Sequence, residues 1–369
     1  PMMGVPYTPS VIGSTLPGSP AWKMDLRPGT QVMAVGEDAE PKEEMRFLQD
    51  MAQAVMLHGY ESDLTLQIRR PGESEIDRVT LRPVPKGRPM MFGRKSASIG
   101  VGSASSNTLA KEKPVADGFP AADLKDGFEG GDTIIAGIVD GQETTFNEPW
   151  EIDTFLAQHV DSPISLKVKR IDNPEAEESE QTTSEYVFEV APRKLQRTGL
   201  VMTMGAITAI QEGSPAAAAD FKEGDVLKTL DGEAIADPMT FADDVRRLGS
   251  EEIVIGVERI GAGGKKQNVD VVVTPRPVRD YQSPNADPSP VLVDALGLTF
   301  DVSTIVDSVA EGSSVDGKIN PGDKLVAFKF VAGGADEAER RKNAEELSKK
   351  VFALGQKLEL DGERFSWPA

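Results

Sequence analysis

The residues of this chain that could do chemistry are few, and they form no complete catalytic set. The two histidines, His58 and His159, lie outside any His-Glu-x-x-His pattern. Both fall near the ends of predicted helices, which favours packing or helix-terminal roles over metal or base chemistry. Ser19 and Ser214 each precede Pro-Ala without a histidine in register, so a nucleophilic triad is not indicated. We predict no catalytic and no metal-binding residue.

Two short motifs invite a chemical interpretation that their context opposes. The segment GAGGKK at 261–266 has Arg259 where a phosphate loop needs its first glycine, and Lys266 where it needs Ser or Thr. A strand follows this segment instead of a helix, so we predict a hairpin turn. Leu-Asp-Gly, at 230–232 and 360–362, resembles a metal-ligand motif of membrane-embedded zinc proteases. Here it follows short polar-flanked strands and is interpreted as a turn.

Composition narrows the classes of partner. The 369 residues include 40 Lys and Arg against 60 Asp and Glu, a formal charge of −20. Such a charge argues against nucleic acid or an anionic membrane surface as the main partner. The absence of cysteine excludes disulfides and thiol catalysis, and no apolar run is long enough for a membrane span. Peptides and proteins remain as the expected partners.

A sequence motif repeats along the chain, and the elements around it are expected to position any functional site. A small-residue motif recurs at steps of 95 to 100 residues, as Gly18-Ser19-Pro20-Ala21, Gly118-Phe119-Pro120-Ala121, Gly213-Ser214-Pro215-Ala216 and the degraded Gly312-Ser313-Ser314-Val315. Each copy continues with a Gly-containing turn that leads into an apolar strand. A period near 100 residues is typical of a domain. We predict four domains, repeats one to four, over 1–88, 94–194, 196–279 and 289–369, the last truncated and carrying a helical insertion at 333–355.

The elements of each repeat follow from its turn and periodicity signals. A long helix is expected to start with proline in its first turn, at Pro41, Pro149 and Pro238. Its apolar face in repeat one is predicted from the helical spacing of Leu48, Met51 and Val55. Two strands follow each helix, for example 164–170 and 186–190. The predicted fold is mostly β, of the α+β class: tandem small, partly open barrels or sandwiches, each with one short and one long helix.

This order resembles the PDZ domains of bacterial envelope proteases. In that family Gly-Ser-Pro-Ala opens a short helix, Gly-Asp introduces a core strand, and Asn/Asp-Gly makes the next turn. Repeat three matches over most of its length, repeats one and two match with insertions, and repeat four matches until the chain ends. The resemblance implies that an extended peptide adds as a strand to a sheet edge beside the long helix.

Candidate peptide-binding residues follow by position in the repeats. A terminal carboxylate would sit on backbone N–H groups of an apolar-Gly-apolar turn before the edge strand, where glycine lets the backbone approach the ligand. Phe241, Val245 and Leu248 would line the pocket of repeat three. The turn candidates are Ile12 and Gly13; Ile99, Gly100 and Val101; Gly199, Leu200 and Val201; and Gly297, Leu298 and Thr299.

The wider protein is inferred from the same resemblance. Both ends look like cuts in a longer gene product, and the N-terminal segment resembles the exit from a membrane span in the site-2 protease family of intramembrane zinc metalloproteases. That implies a membrane-embedded parent with its zinc in absent segments, no cofactor in this chain, and a location on the periplasmic side of a bacterial membrane. The chain itself would recognise extended peptides or C-terminal tails without hydrolysing them. The alternatives are the PDZ region of an HtrA-type serine protease and a non-enzymatic multi-PDZ scaffold.

Overall fold

The computed structural model describes residues 8–86, 95–104, 106–115, 119–192, 198–279, 290–328 and 352–353. They are mostly β-strand with few and short helices, and within these ranges the sheets are open, with no closed barrel. The described chain falls into two compact units. The first unit draws on residues 1–15, 19–195 and 278–281, and the second on 16–18, 196–277 and 282–369.

The first unit has two hydrophobic cores, one for each of its sequence repeats. One core gathers Ile12, Met51, Leu66 and Ile99 with other buried apolar side chains, and the other is built around Phe155. The hydrogen-bonded strand orders are β2-β3-β4, β5-β6, β1-β7 and β11-β10-β8-β9. The strands are β1 (Ile12–Thr15), β2 (Gln31–Val35), β3 (Leu64–Arg69), β4 (Asp77–Leu81), β5 (Val84–Lys86), β6 (Ser96–Ser98), β7 (Val101–Ser103), β8 (Thr133–Val139), β9 (Gln142–Thr145), β10 (Ile164–Ile171) and β11 (Thr183–Val190).

The helices of the first unit lie between these strands. A π-helical turn over Phe47–Ala52 runs directly into α2. The α-helices are α1 (Pro20–Lys23), α2 (Gln53–His58) and α3 (Pro149–Gln158), with 3₁₀ turns at Pro120–Asp123 and Glu178–Glu180.

The second unit is dominated by one sheet in the order β16-β15-β13-β12-β18-β17, with β14 paired to β13. Its two long strands, β12 and β18, pair along their whole lengths, from Leu200↔Val309 to Ile210↔Leu298. The elements are β12 (Leu200–Ile210), α4 (Pro215–Ala218), β13 (Val226–Leu230), β14 (Glu233–Ala234), α5 (Phe241–Arg247), β15 (Ile253–Ile260), the 3₁₀ turn Ala262–Gly264, β16 (Lys266–Val273), β17 (Val291–Val293), β18 (Leu298–Val309), β19 (Ala327–Phe328) and β20 (Phe352–Ala353).

All four sequence repeats share one pair of backbone hydrogen bonds. The pair lies at the Gly-containing turn that leads into the apolar strand. In each repeat one apolar residue donates its N–H to the carbonyl of the residue after a glycine, and its own carbonyl accepts the N–H of that glycine. The pairs are Ile12 with Thr30 and Gly29 (2.9 and 2.7 Å), Leu109 with Asp132 and Gly131 (2.8 and 3.1 Å), Ile207 with Asp225 and Gly224 (2.7 and 2.8 Å), and Val306 with Asp323 and Gly322 (2.8 and 2.8 Å). The repeat seen in the sequence is therefore a repeat of backbone geometry.

The Gly-Ser-Pro-Ala motifs open short helices, as the sequence predicts. The Ser19 Oγ accepts a hydrogen bond from the Trp22 N–H at 3.4 Å, and the Ser214 Oγ accepts one from the Ala217 N–H at 3.1 Å. Each serine is an N-cap with proline at the first helical position.

Of the three predicted starts of long helices, one is correct. Pro149 is the first residue of α3, but the other two helices begin at Phe47 and Phe241, after Pro41 and Pro238. Asp237 explains one miss, because its carboxylate accepts the N–H of Met239 at 2.9 Å and holds Pro238 in a separate turn.

The predicted helix over 333–355 lies outside the described residues except for Phe352–Ala353. These two residues form β20, which pairs with β19, so the helical prediction is wrong there. Pairing to another strand supplies backbone hydrogen bonds that a helical turn would otherwise make locally.

Candidate functional site

The predicted turn residues of the first unit come together where β1 meets β7. Ile12 and Gly13 lie on β1, Val101 begins β7, and Ile12 pairs with Ser103. Ile99 and Ile12 are buried in the same core, although 87 positions separate them in the printed numbering. Ile99-Gly100-Val101, predicted to open repeat two, therefore packs with the core of repeat one.

The Gly100 turn has an equivalent in the second unit. In each unit the turn is held by the serine and alanine of a Gly-Ser-Pro-Ala motif, through the serine hydroxyl and the alanine N–H. The hydrogen bonds are Ser19 Oγ to Gly100 O (3.4 Å) and Ala21 N to Ile99 O (2.9 Å), and Ser214 Oγ to Gly297 O (3.4 Å) and Ala216 N to Leu296 O (2.9 Å). Gly100 and Gly297 both adopt positive φ, +80° and +70°, the region that favours glycine.

An apolar groove lies beside the Gly100 turn in the first unit. It has a volume of about 320 Å³, within the range of small-ligand pockets. The buried side chains of Phe47, Met51, Val55 and Ile99 form its floor. The rim includes Met56, which is 48% exposed.

A π-helical turn shapes the helical wall of this groove. The Met51 N–H donates to the carbonyl of Arg46, five residues earlier, at 3.1 Å. The extra residue in this turn brings Phe47 to the core and leaves Leu48 65% exposed, so the predicted apolar face holds at Met51 and Val55 but is wrong at Leu48.

Asp50 stabilises the start of that turn. Its carboxylate accepts the backbone N–H of Arg46 at 2.8 Å and the guanidinium Nε of Arg46 at 3.0 Å. The Arg46 side-chain and backbone hydrogen bonds lower the pKa of Asp50 to about 2. The carboxylate is thus ionised across the physiological range.

The β7 strand offers a sheet edge next to the groove. Within the ranges described, β7 pairs only with β1, and Val101 lines the groove. An unpaired strand edge presents alternating N–H and C=O groups that an added strand can satisfy. The combination of an edge, an apolar floor and a positive-φ glycine turn suits an extended peptide.

Gly13 has a packing role that the sequence did not reveal. A β-carbon at Gly13 would lie 2.2 Å from the carbonyl oxygen of Ser103 and 2.4 Å from the Cα of Ala104. The pairing of β1 with β7 is irregular at this point. Glycine is required here because two backbone segments approach each other.

In the second unit, the predicted helix residues of repeat three pack against a strand that the sequence assigned to repeat four. Phe241 and Val245 of α5 are fully buried, and the Phe241 ring meets Phe300 edge to face, with centroids 6.1 Å apart. Phe300 is on β18, which begins at Leu298, directly after Gly297. The helix predicted to serve repeat three thus faces the turn that the sequence assigned to repeat four, and Leu248 is the partly buried C-cap of that helix.

The Gly199-Leu200-Val201 turn packs against repeat four instead. A β-carbon at Gly199 would lie 2.4 Å from the Cβ of Ser313, and the carbonyl of Gly199 accepts the Ala310 N–H at 2.8 Å. A β-carbon at Gly297 would likewise lie 2.3 Å from the Cβ of Ser214. The long strands β12 and β18 are therefore exchanged between the two repeats.

In the second unit a short strand pairs with the edge of β18 that corresponds to the β7 edge, whereas in the first unit the strand before the Gly100 turn, β6, packs against α2 but pairs with β5. Strand β17 pairs with β18 in the register Val291↔Phe300, Leu292↔Thr299 and Val293↔Leu298, and it packs against α5. Val293 is fully buried.

Two groups of residues were not predicted to belong to these sites, although Met51 and Val55 were predicted on the apolar face of their helix. Phe47, Met51 and Val55 have spacings of four residues, a signal for one helix face, but nothing local shows that this face borders an open groove. Val291 and Val293 form an apolar triplet with Leu292, whose pairing partner could not be read from the sequence.

Two further features are absent from the described residues. Within them, no cluster of His, Asp or Glu could hold a metal ion. Nor does any helix among them have the length and apolar character needed to cross a membrane.

Comparison with known proteins gives one distant similarity. No family model matches the chain. The chain is 28% identical over 172 residues to a probable periplasmic serine endoprotease, DegP-like, of Bartonella henselae. The match covers 42% of this chain and 33% of that protein, so the chain spans about a third of the length of the curated relative.

Proposed function

We propose that this chain is a peptide-binding regulatory region of a protease, built from PDZ-like repeats, that recognises or filters substrates without cutting them. The observation that carries the proposal is the groove of the first unit, where β7 has an edge that pairs with no strand among the described residues and borders an apolar floor beside the Gly100 turn. A peptide added to that edge would gain main-chain hydrogen bonds, and the groove would select its side chains.

The second unit indicates what kind of occupant fits. There the chain's own Val-Leu-Val segment pairs with the equivalent strand and packs on the equivalent helix. We therefore expect the first unit to take an extended segment with branched aliphatic side chains. Its end would face the Gly100 turn, where the Gly100 N–H donates to the Ser98 hydroxyl at 3.1 Å, so a terminal carboxylate would take the place of that hydroxyl.

The similarity to a DegP-like periplasmic serine endoprotease supports the association with a protease and a periplasmic location. It favours the HtrA-type alternative over the site-2 assignment, which the comparison does not support. A membrane-embedded parent, and a zinc ion held elsewhere in it, stay predictions. Extended peptides or C-terminal tails are the proposed partners, with no cofactor proposed for the chain itself.

The proposal is tested by titrating the 369-residue chain with five-residue peptides that end in valine, as free carboxylates and as amides. We expect NMR shifts at residues 97–103 and 47–56, and at least tenfold weaker binding of the amides. The chain should show no peptidase activity. Folded protein that binds none of the peptides at these residues, or that cleaves them, would contradict the proposal.

A further inference from the structure

The turn before β18 already holds a ligand supplied by the chain itself. The carbonyl oxygen of Val293 accepts the backbone N–H groups of Leu296 at 3.0 Å and Gly297 at 2.8 Å. These belong to the turn that matches Ile99-Gly100 of the first unit. The Val293 carbonyl therefore occupies the position proposed there for the end of a bound peptide.

The rest of the segment completes the likeness to a bound peptide. Val291–Val293 runs antiparallel to β18 and lies at the sheet edge, since β18 pairs with β12 on its other side. Val293 is 0% exposed and Leu292 is 7% exposed. Val291–Val293 therefore has the three features expected of a bound peptide: it pairs with a sheet edge, it places an apolar side chain beside α5, and its last carbonyl accepts hydrogen bonds from the turn.

A polar cluster fixes the turn that follows this strand. The guanidinium Nη2 of Arg276 donates to Gln211 Oε1 at 2.6 Å and to Asp294 Oδ1 at 3.2 Å, and its Nε donates to the Asp294 carbonyl at 3.1 Å. Arg276 and Asp294 are largely buried. This cluster holds Asp294 beside Gln211 independently of the strand pairing, so the short strand can leave its place while Asp294 stays anchored.

We propose that Val291–Val293 is an intramolecular ligand that closes the peptide site of the second unit, and that an external peptide with a branched aliphatic terminus binds there only by displacing it. This inference rests on the proposed function, because it assumes that the same kind of site binds peptides. A tethered ligand competes at a high effective concentration, so the apparent affinity for free peptide is the intrinsic affinity multiplied by the fraction of molecules that are open.

The test uses the full chain, the labelled peptide Ser-Pro-Val-Leu-Val and a variant that weakens the strand, V291S/V293S. The matched control is V254S/V272S, which changes two partly exposed valines that pair on β15 and β16. We expect peptide-induced NMR shifts at Phe241, Leu296 and Gly297 in V291S/V293S, with affinity at least tenfold higher than in the wild type or the control. Equal binding at these residues by all three proteins, or none by a folded V291S/V293S, would overturn the proposal.

A second variant tests the proposal independently, in case V291S/V293S does not fold. The chain has no cysteine, so the only disulfide that L292C/T299C can form within one molecule joins two paired positions of β17 and β18. Hydrogen exchange at the Leu296 and Gly297 amides should be at least tenfold slower in the oxidised form than after dithiothreitol. Equal exchange rates would show that β17 does not open from the turn, which would overturn the proposal. The two proposals can fail separately. If the second unit gives the expected results but peptides cause no NMR shifts at residues 97–103, only the proposed function of the first unit is rejected.

Discussion

The Ser214 hydroxyl donates a hydrogen bond to the carbonyl oxygen of Gly297 at 3.4 Å, across 83 positions of the chain. Ser19 and Gly100 make the same bond at 3.4 Å, across 81 positions. In each case the cap of a short helix reaches a glycine turn at the start of a strand from the next repeat. In each unit, the serine that caps the short helix also holds the glycine turn of the candidate peptide site in place.

The first prediction concerns the rim of the groove in the first unit. Met56→Arg should weaken binding of valine-terminated peptides at least tenfold, because it places a charge on an apolar wall. Leu57→Arg is the control, since Leu57 is on the same helix, is 80% exposed and does not line this groove. Fluorescence polarisation gives both affinities, and equal losses in the two variants would argue against the groove.

The second prediction separates backbone strain from crowding at the Gly297 turn. Gly213→Ala should cost about 1 kcal/mol, because its φ is +66° and no atom would contact the new β-carbon within 4 Å. Gly297→Ala should cost at least about 3 kcal/mol, since its β-carbon would also lie 2.3 Å from that of Ser214. Urea unfolding of the second unit measures both, and similar costs would contradict the close contact.

The third prediction concerns the ion pair between Arg259 and Asp225. Arg259 donates from Nε at 2.8 Å and Nη2 at 2.7 Å to the two carboxylate oxygens, and Asp225 is 1% exposed. Arg259→Lys should cost about 2 kcal/mol, because an ammonium cannot reproduce the paired donors. The control Arg247→Lys, in a pair whose side chains are 54% and 44% exposed, should cost under about 0.5 kcal/mol. A smaller loss for Arg259→Lys than for this control would be inconsistent with the buried geometry.

The fourth prediction concerns acid stability around Asp132. Burial of the Asp132 carboxyl opposes its ionisation, but hydrogen bonds from Arg170 and the Glu129 N–H outweigh burial and lower its pKa below the ordinary 3.8. The stabilisation is therefore complete above pH 3.8 and is lost as the pH falls through the lowered pKa of the folded state. Asp132→Asn should destabilise β8 at pH 7 and make its stability less dependent on pH below 4.

Hydrogen exchange of the β8 amides at pH 7, and urea unfolding from pH 5 to pH 2, measure this dependence. Asp123→Asn is a suitable control, since Asp123 is exposed. A variant that keeps the acid sensitivity of the wild type would show that another carboxylate controls it.

The sequence determined the features that depend on a few neighbouring residues. Ser19 and Ser214 cap the helices that Pro20 and Pro215 begin, because a serine hydroxyl reaches an N–H three positions along the chain. The Gly-containing turns into apolar strands could be predicted for the same reason. Even here, a local π turn at Phe47 reversed the exposure expected for Leu48.

The tertiary structure alone decided which turn meets which helix. Strand pairing is non-local, and β-strands with similar apolar patterns can exchange partners while keeping their local signals. The sequence therefore assigned Gly297-Leu298-Thr299 to repeat four, whereas burial of Phe241 against Phe300 brings it to repeat three. The same non-local choice leaves the edge of β7 without a strand in the described residues and gives β18 the chain's own Val291–Val293.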